Sequence, residues 1–148
     1  MTEEQVRPWL EARPPRGYNC RSWSPQHLRD LPSVRREFRA WVAAATEEAP
    51  RSRENRVEES VLALDELMSN ALRHGRAPVD VEVCTSAGGV LLQVADRAAE
   101  DPPRPTSTRD PSDGGMGLGM IADFALSCGW FAPGDQKVVW AVMPSSED

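Results

Sequence analysis

The chain lacks any CxxC pair. Its three cysteines, Cys20, Cys84 and Cys128, lie far apart and are odd in number, which argues against a zinc site and reads as buried, reduced thiols. It lacks an excess of basic charge: 17 Lys and Arg face 23 Asp and Glu, for a net charge of −6. A surface of that sign argues against direct, sequence-independent nucleic-acid binding. No apolar run approaches the ~18–20 residues that a membrane span needs. The N-terminus carries no basic-then-apolar leader pattern. The resulting expectation is a cytoplasmic protein with no membrane contact. There is no GK[ST] after a glycine loop, and no G-x-G-x-x-G following a strand, so Walker and dinucleotide fingerprints are both missing.

What is present fits one domain. The length, 148 residues, and the 40% hydrophobic content suit a globular chain that buries a core without staples. Residues 1–18 are rich in Arg and Pro and predict a loose N-terminal arm, leaving 19–148 as a single domain. Tyr18–Ser24 alternates weakly, as an edge strand would, before Pro25. From Leu31 the apolar residues Val34, Phe38, Trp41, Val42 and Ala45 share a helical face that should end before Pro50. Arg35, Arg36 and Arg39 read as the solvated side of that helix. A polar link, Arg51–Arg56, is expected next. Val57, Val61, Leu64, Met68 and Leu72 then form a second helical stripe. It closes on Arg73 and His74, with Gly75 placed as a C-cap. The period changes to two at Val79, and Gly88-Gly89 predicts a hairpin between two strands. Residues 97–116 hold four prolines and no period, which suggests a lid. A helix over about 117–126 and two strands, about 128–132 and 137–143, complete the pattern. This order of elements predicts a two-layer α/β sandwich (α+β) with a mixed, mostly antiparallel sheet and helices on one face.

Three groups of residues bear chemistry. Glu66, Asn70 and His74 recur at i, i+4, i+8 on the second helix. An Asn amide oxygen suits Mg²⁺ that keeps waters and takes phosphate oxygens. A carboxylate one turn earlier can serve as a general base. The same spacing also fits a solvent-facing row. Gly114, Gly115, Gly117 and Gly119 expose backbone N–H groups ahead of a helix, an arrangement that admits phosphates, and equally a flexible turn. Asp96, after an apolar strand, can accept from an exocyclic amine or simply end the strand. Arg73 and His74 either approach a phosphate or cap the helix C-terminus.

These features in this order resemble the GHKL ATPases, the superfamily of gyrase, heat-shock chaperone, histidine kinase and mismatch-repair ATP domains. Within it, the chain looks like the small anti-sigma-factor serine/threonine kinases of spore-formers and actinomycetes. Glu66–Gly75 resembles the N box, E-x-x-x-N-A-x-x-H-G, and Gly115–Ile121 resembles the glycine box. The resemblance covers about residues 22–144 and implies a Bergerat-type ATP-binding fold. It implies Glu66 as catalytic base, Asn70 as Mg²⁺ ligand, and Asp96 on the adenine amine. The glycine box, Gly115, Met116, Gly117, Leu118 and Gly119, would surround the phosphates. It also implies ATP with Mg²⁺ as cofactors, and a sigma factor and an anti-sigma-factor antagonist as protein partners. Related kinases often dimerise, so a homodimer is a further expectation. The chain departs from the pattern in three places. Asp96-Arg97-Ala98-Ala99-Glu100 lacks the glycines of D-x-G-x-G. Lys137-Val138-Val139-Trp140 lacks the Thr frequent on the last strand. The arm 1–18 has no counterpart. These departures keep two other functions in view: a nucleotide-binding module that sequesters a regulator without phosphoryl transfer, and an interaction protein with a dead pocket. Trp9, Trp23, Trp41, Trp130 and Trp140 are many for this length and would suit the last.

Overall fold

The computed structural model describes residues 9–45, 50–103 and 115–145. The elements run β1 (Tyr18–Trp23), a short 3-10 turn, α1 (Leu31–Ala45), α2 (Pro50–His74), β2 (Asp80–Ser86), β3 (Gly89–Asp96), α3 (Gly115–Phe124), β4 (Ser127–Phe131) and β5 (Lys137–Pro144). The five strands form one sheet in the order β1-β2-β3-β5-β4, and every neighbouring pair is antiparallel. The expected α/β sandwich is therefore present, with its sheet more uniformly antiparallel than predicted. A single parallel bridge, Glu11 to Trp130, lies outside the named strands.

The period-two pattern divides the sheet into two faces. Val81, Val83, Val90, Leu92, Val94, Val139, Ala141 and Met143 point to the helices. There they meet Val34, Phe38 and Val42 of α1, Val57, Val61, Leu64, Leu67 and Met68 of α2, and Leu118 and Ile121 of α3. Ion pairs from Arg35 to Asp65 at 2.6 Å and from Arg39 to Glu58 at 2.9 Å join α1 to α2. Two of the three clustered arginines thus have partners within the fold.

Several expectations need correction. The arm is not loose from residue 9 onward. Trp9 is buried in the main core and donates from Nε1 to the Leu118 carbonyl at 3.2 Å. Ala12 N–H donates to the Trp130 carbonyl at 2.8 Å, and Trp140 Nε1 donates to the Ala12 carbonyl at 2.8 Å. Leu91, Trp140 and Val142 are apolar on the sheet's second face, and this segment covers them. Residues 1–8 of the expected arm lie outside the described residues. The link at 51–56 is helical: Pro50 opens α2 rather than only closing α1, because a first-turn proline loses no helical hydrogen bond. Residues 46–49 lie outside the described residues. Cys20 and Cys84 form a disulfide, with Cys20 exposed. An irregularity in β1 between Tyr18 and Arg21, with Asn19 at φ 52°, brings Cys20 opposite Cys84. Cys128 lies outside this disulfide, and cysteine usage no longer argues for a reducing compartment. No helix among the described residues is long and apolar enough to cross a membrane.

Candidate functional site

The inner side of α2 carries two kinds of residue. Leu67 and Ala71 sit in the core, while Asn70 and His74 flank them on the side toward α3. On the sheet, Val94 and Asp96 share the helix-facing side of β3, and Val139 and Lys137 share that of β5. The register sets Asp96 opposite Lys137 and Val94 opposite Val139. Together with Leu118 of α3 and the turn Asp101-Pro102-Pro103, these residues enclose a cavity of about 300 Å³. That is the lower end of the size range for small-molecule sites, and the lining is mostly apolar with a few convergent polar groups. Asn70 and the glycine-rich helix therefore face one cavity, as the two motifs require.

Asp96 is 2% exposed and anchored. Its Oδ1 accepts from the Ala98 backbone N–H at 2.7 Å, and its Oδ2 lies 3.6 Å from Lys137 Nζ. Lys137 is 7% exposed and donates to the Asp101 carbonyl at 2.7 Å. Gly75 is needed here for space. A Cβ on it would stand 2.5 Å from Asp96 Oδ2 and 2.7 Å from the Ala71 carbonyl oxygen. Gly75 follows directly on the end of α2, at the expected C-cap position. Gly75 N–H donates to the Ala71 carbonyl at 3.0 Å, and the positive-φ glycines among the described residues are Gly88 and Gly134.

Glu66 stands one turn before Asn70, just outside the cavity lining. A Cβ on Gly117 would run into its Cγ, Cδ and Oε1, so the third residue of α3 packs directly on the carboxyl. Two buried polar atoms have no hydrogen-bond partner among the described residues, Glu66 Oε2 and Asn70 Nδ2. Both belong to the predicted motif. An unpaired buried polar group costs roughly 1–3 kcal/mol, which stability alone would remove. Burial pushes the Glu66 carboxyl up from its ordinary value. The Arg73 charge opposes that shift, Asp65 adds to it, and His74 opposes it.

The predicted residues thus divide by place. Asn70, His74, Asp96 and Leu118 line the cavity. Glu66 and Gly117 pack on each other beside it. Arg73 is exposed and does not line it, and neither does Gly119. Gly115 is the first residue of α3, and Met116 follows it; the Met116 side chain and Gly114 lie outside the described residues. Of the expected lid, 97–116, Gly115 and Met116 belong to α3. Residues 97–103 form a fixed turn held by Arg97 N–H on the Arg76 carbonyl at 2.8 Å and Asp101 N–H on the Ala98 carbonyl at 3.1 Å. Residues 104–114 lie outside the described residues. Sequence reasoning missed Lys137 as a lining residue. The signal was available: alternation back from Met143 through Ala141 and Val139 places Lys137 on the core face.

Residues 24–143 match the family described as the histidine kinase-like ATPase domain. Among solved structures, the chain is similar to the Acinetobacter baumannii histidine kinase AdeS, at 11% identity and a TM-score of 0.46, over 86% of this chain and 68% of that one. The comparison with curated proteins found no match.

Proposed function

The chain belongs to the histidine kinase-like ATPase family, and from that premise we propose that it binds ATP with Mg²⁺ in the cavity between α2, α3 and the β3–β5 floor. We further assign it the role of an anti-sigma-factor-type serine/threonine protein kinase. In that role it regulates a transcription-factor partner, through an antagonist, by phosphorylation or sequestration. The observation that carries the ATP reading is the shared cavity of Asn70, Asp96 and Leu118 beside the paired Glu66 and Gly117. The finer assignment draws its support from the N box Glu66–Gly75 and the glycine box Gly115–Ile121 of the sequence.

The residues present fit a hard cation and a triphosphate. Asn70 lines the cavity, its Nδ2 is buried without a partner among the described residues, and the same amide carries a neutral oxygen of the kind Mg²⁺ accepts with retained waters. When bound, the metal supplies charge neutralisation on phosphate oxygens, which is much of what phosphoryl transfer needs. The chain's own residues do the rest. Asp96, fixed by Ala98 N–H, presents Oδ2 to an exocyclic amine. Val94, Val139 and Leu118 exclude water around a flat ring. Glu66, with its carboxyl pushed up by burial, holds proton affinity closer to neutrality, as a general base requires.

Titration calorimetry with Mg-ATP on wild type and Asn70→Ala tests the binding reading. Wild type should bind, and Asn70→Ala should lose at least tenfold of affinity, about what one charge-assisted contact contributes. Unchanged affinity in the variant removes the metal site. Phosphoryl transfer to an antagonist-type protein should stop in Glu66→Ala. A second reading, sequestration without transfer, is favoured by the carboxyl of Glu66, whose Oε2 is buried and whose Oε1 lies against Gly117. Regulation that survives Glu66→Ala selects it.

A further inference from the structure

We propose that Lys137 reads the purine ring in this cavity, donating to the ring nitrogen beside the exocyclic amine that Asp96 accepts. This rests on the ATP reading above and extends it to a residue outside both sequence motifs. Lysine is almost never buried without a partner. Lys137 is 7% exposed although it opens β5, so its ammonium is not out in solvent. Instead, Nζ stays in the cavity, 2.7 Å from the Asp101 carbonyl oxygen. Its separation from Asp96 Oδ2, 3.6 Å, is too long for a hydrogen bond. The two form an ion pair in which a donor and an acceptor are set side by side.

An ammonium has three donors, and the Asp101 carbonyl takes one of them. Asp96 Oδ1 is engaged by Ala98 N–H, which leaves Oδ2 as the oxygen toward Lys137. The Watson–Crick edge of adenine presents an amine donor next to a ring-nitrogen acceptor. That edge complements Asp96 Oδ2 and Lys137 Nζ in order. The contrasting role is structural: Lys137 would neutralise Asp96 and staple the turn at Asp101 while making no contact with the base. The two roles differ in one observable, whether the ring nitrogen matters.

The test is titration calorimetry with Mg-ADP and with Mg-1-deaza-ADP, in which that nitrogen is a C–H, on wild type, Lys137→Met and Lys137→Arg. Wild type should prefer Mg-ADP by about tenfold or more, the range for a hydrogen bond to a charged group. Lys137→Met should bind both nucleotides alike, and Lys137→Arg should restore part of the preference. A wild type that binds both equally overturns the proposal, as does a Lys137→Met variant that keeps the preference while weakening both. Binding of Mg-ADP without discrimination leaves the ATP reading standing; failure of wild type to bind Mg-ADP overturns both. If Lys137→Met does not unfold cooperatively, the wild-type comparison of the two nucleotides decides alone.

Discussion

Gly117→Ala puts opposing effects on one atom. Gly117 is the third residue of α3, and alanine there raises helix propensity by up to about 1 kcal/mol. Its Cβ, however, would land on Cγ, Cδ and Oε1 of Glu66. Because Cγ is met as well as the carboxyl end, Glu66 must leave its rotamer rather than only turn its tip. Overpacking of this kind costs about 1–3 kcal/mol. The net expectation in wild type is a loss of about 0–2 kcal/mol, the difference of those two ranges. In a Glu66→Ala background the obstruction is gone, and the same substitution should gain up to about 1 kcal/mol. The coupling between the two positions should therefore be about 1–3 kcal/mol. Urea unfolding of the four proteins in the cycle measures it, and thermal melts should shift by about 2–4 °C for each kcal/mol at this chain length. Effects that add within about 0.5 kcal/mol would refute the packing of α3 on the Glu66 carboxyl.

The same carboxyl makes stability depend on pH. Burial raises the Glu66 pKa above 4.5 in the fold, so the folded state binds the proton more tightly than the unfolded chain. Its contribution is fully present below 4.5 and is lost as pH rises through the raised value. Urea midpoints of wild type should fall relative to those of Glu66→Gln over that window, and parallel profiles would contradict the shift. Trp9→Ala should cost about 3–5 kcal/mol, as a buried indole does, whereas a loose arm would lose nothing measurable by chemical unfolding. Reduction of Cys20–Cys84, which spans 64 residues, should lower stability by about 4 kcal/mol on the chain-entropy account; an unchanged midpoint in reductant would argue against the cross-link.

Local pattern foretold what local physics decides. The α2 stripe from Val57 to Met68 is buried as its 3.6 period requires, and the β2–β3 hairpin turns at Gly88, whose φ is 77°. The two motifs meet because α2 and α3 lie on the same face of the sheet. What escaped notice depended on partners far along the chain. Trp9 bonds to Leu118 across 109 residues, and Cys20 finds Cys84 across 64; neither spacing leaves a periodic trace. Pro50 was ambiguous in kind, since proline both ends one helix and starts another. Gly75 stands at the helix end as its signal foretold, but its contact with Asp96, 21 positions further along the chain, left no trace in the local pattern.

The kinase and sequestration readings separate at Glu66 for a geometric reason. A carboxylate acts as a base only on a proton within hydrogen-bond reach. Oε2 has no solvent access, and Gly117 stands against the rest of the carboxyl. On the kinase reading, a hydroxyl approaching Glu66 from the α3 side would need the first turn of α3 to move away. That turn contains Gly115 and Gly117, the residues with the weakest helix propensity after proline, so the displacement is inexpensive where it is needed. Nucleotide binding imposes no such condition, because Asn70, Asp96 and Lys137 already face the cavity. It follows that a substitution stiffening the start of α3, Gly115→Ala, should slow transfer by a larger factor than it weakens Mg-ADP binding. A variant that transfers at the wild-type rate would show that the helix need not open.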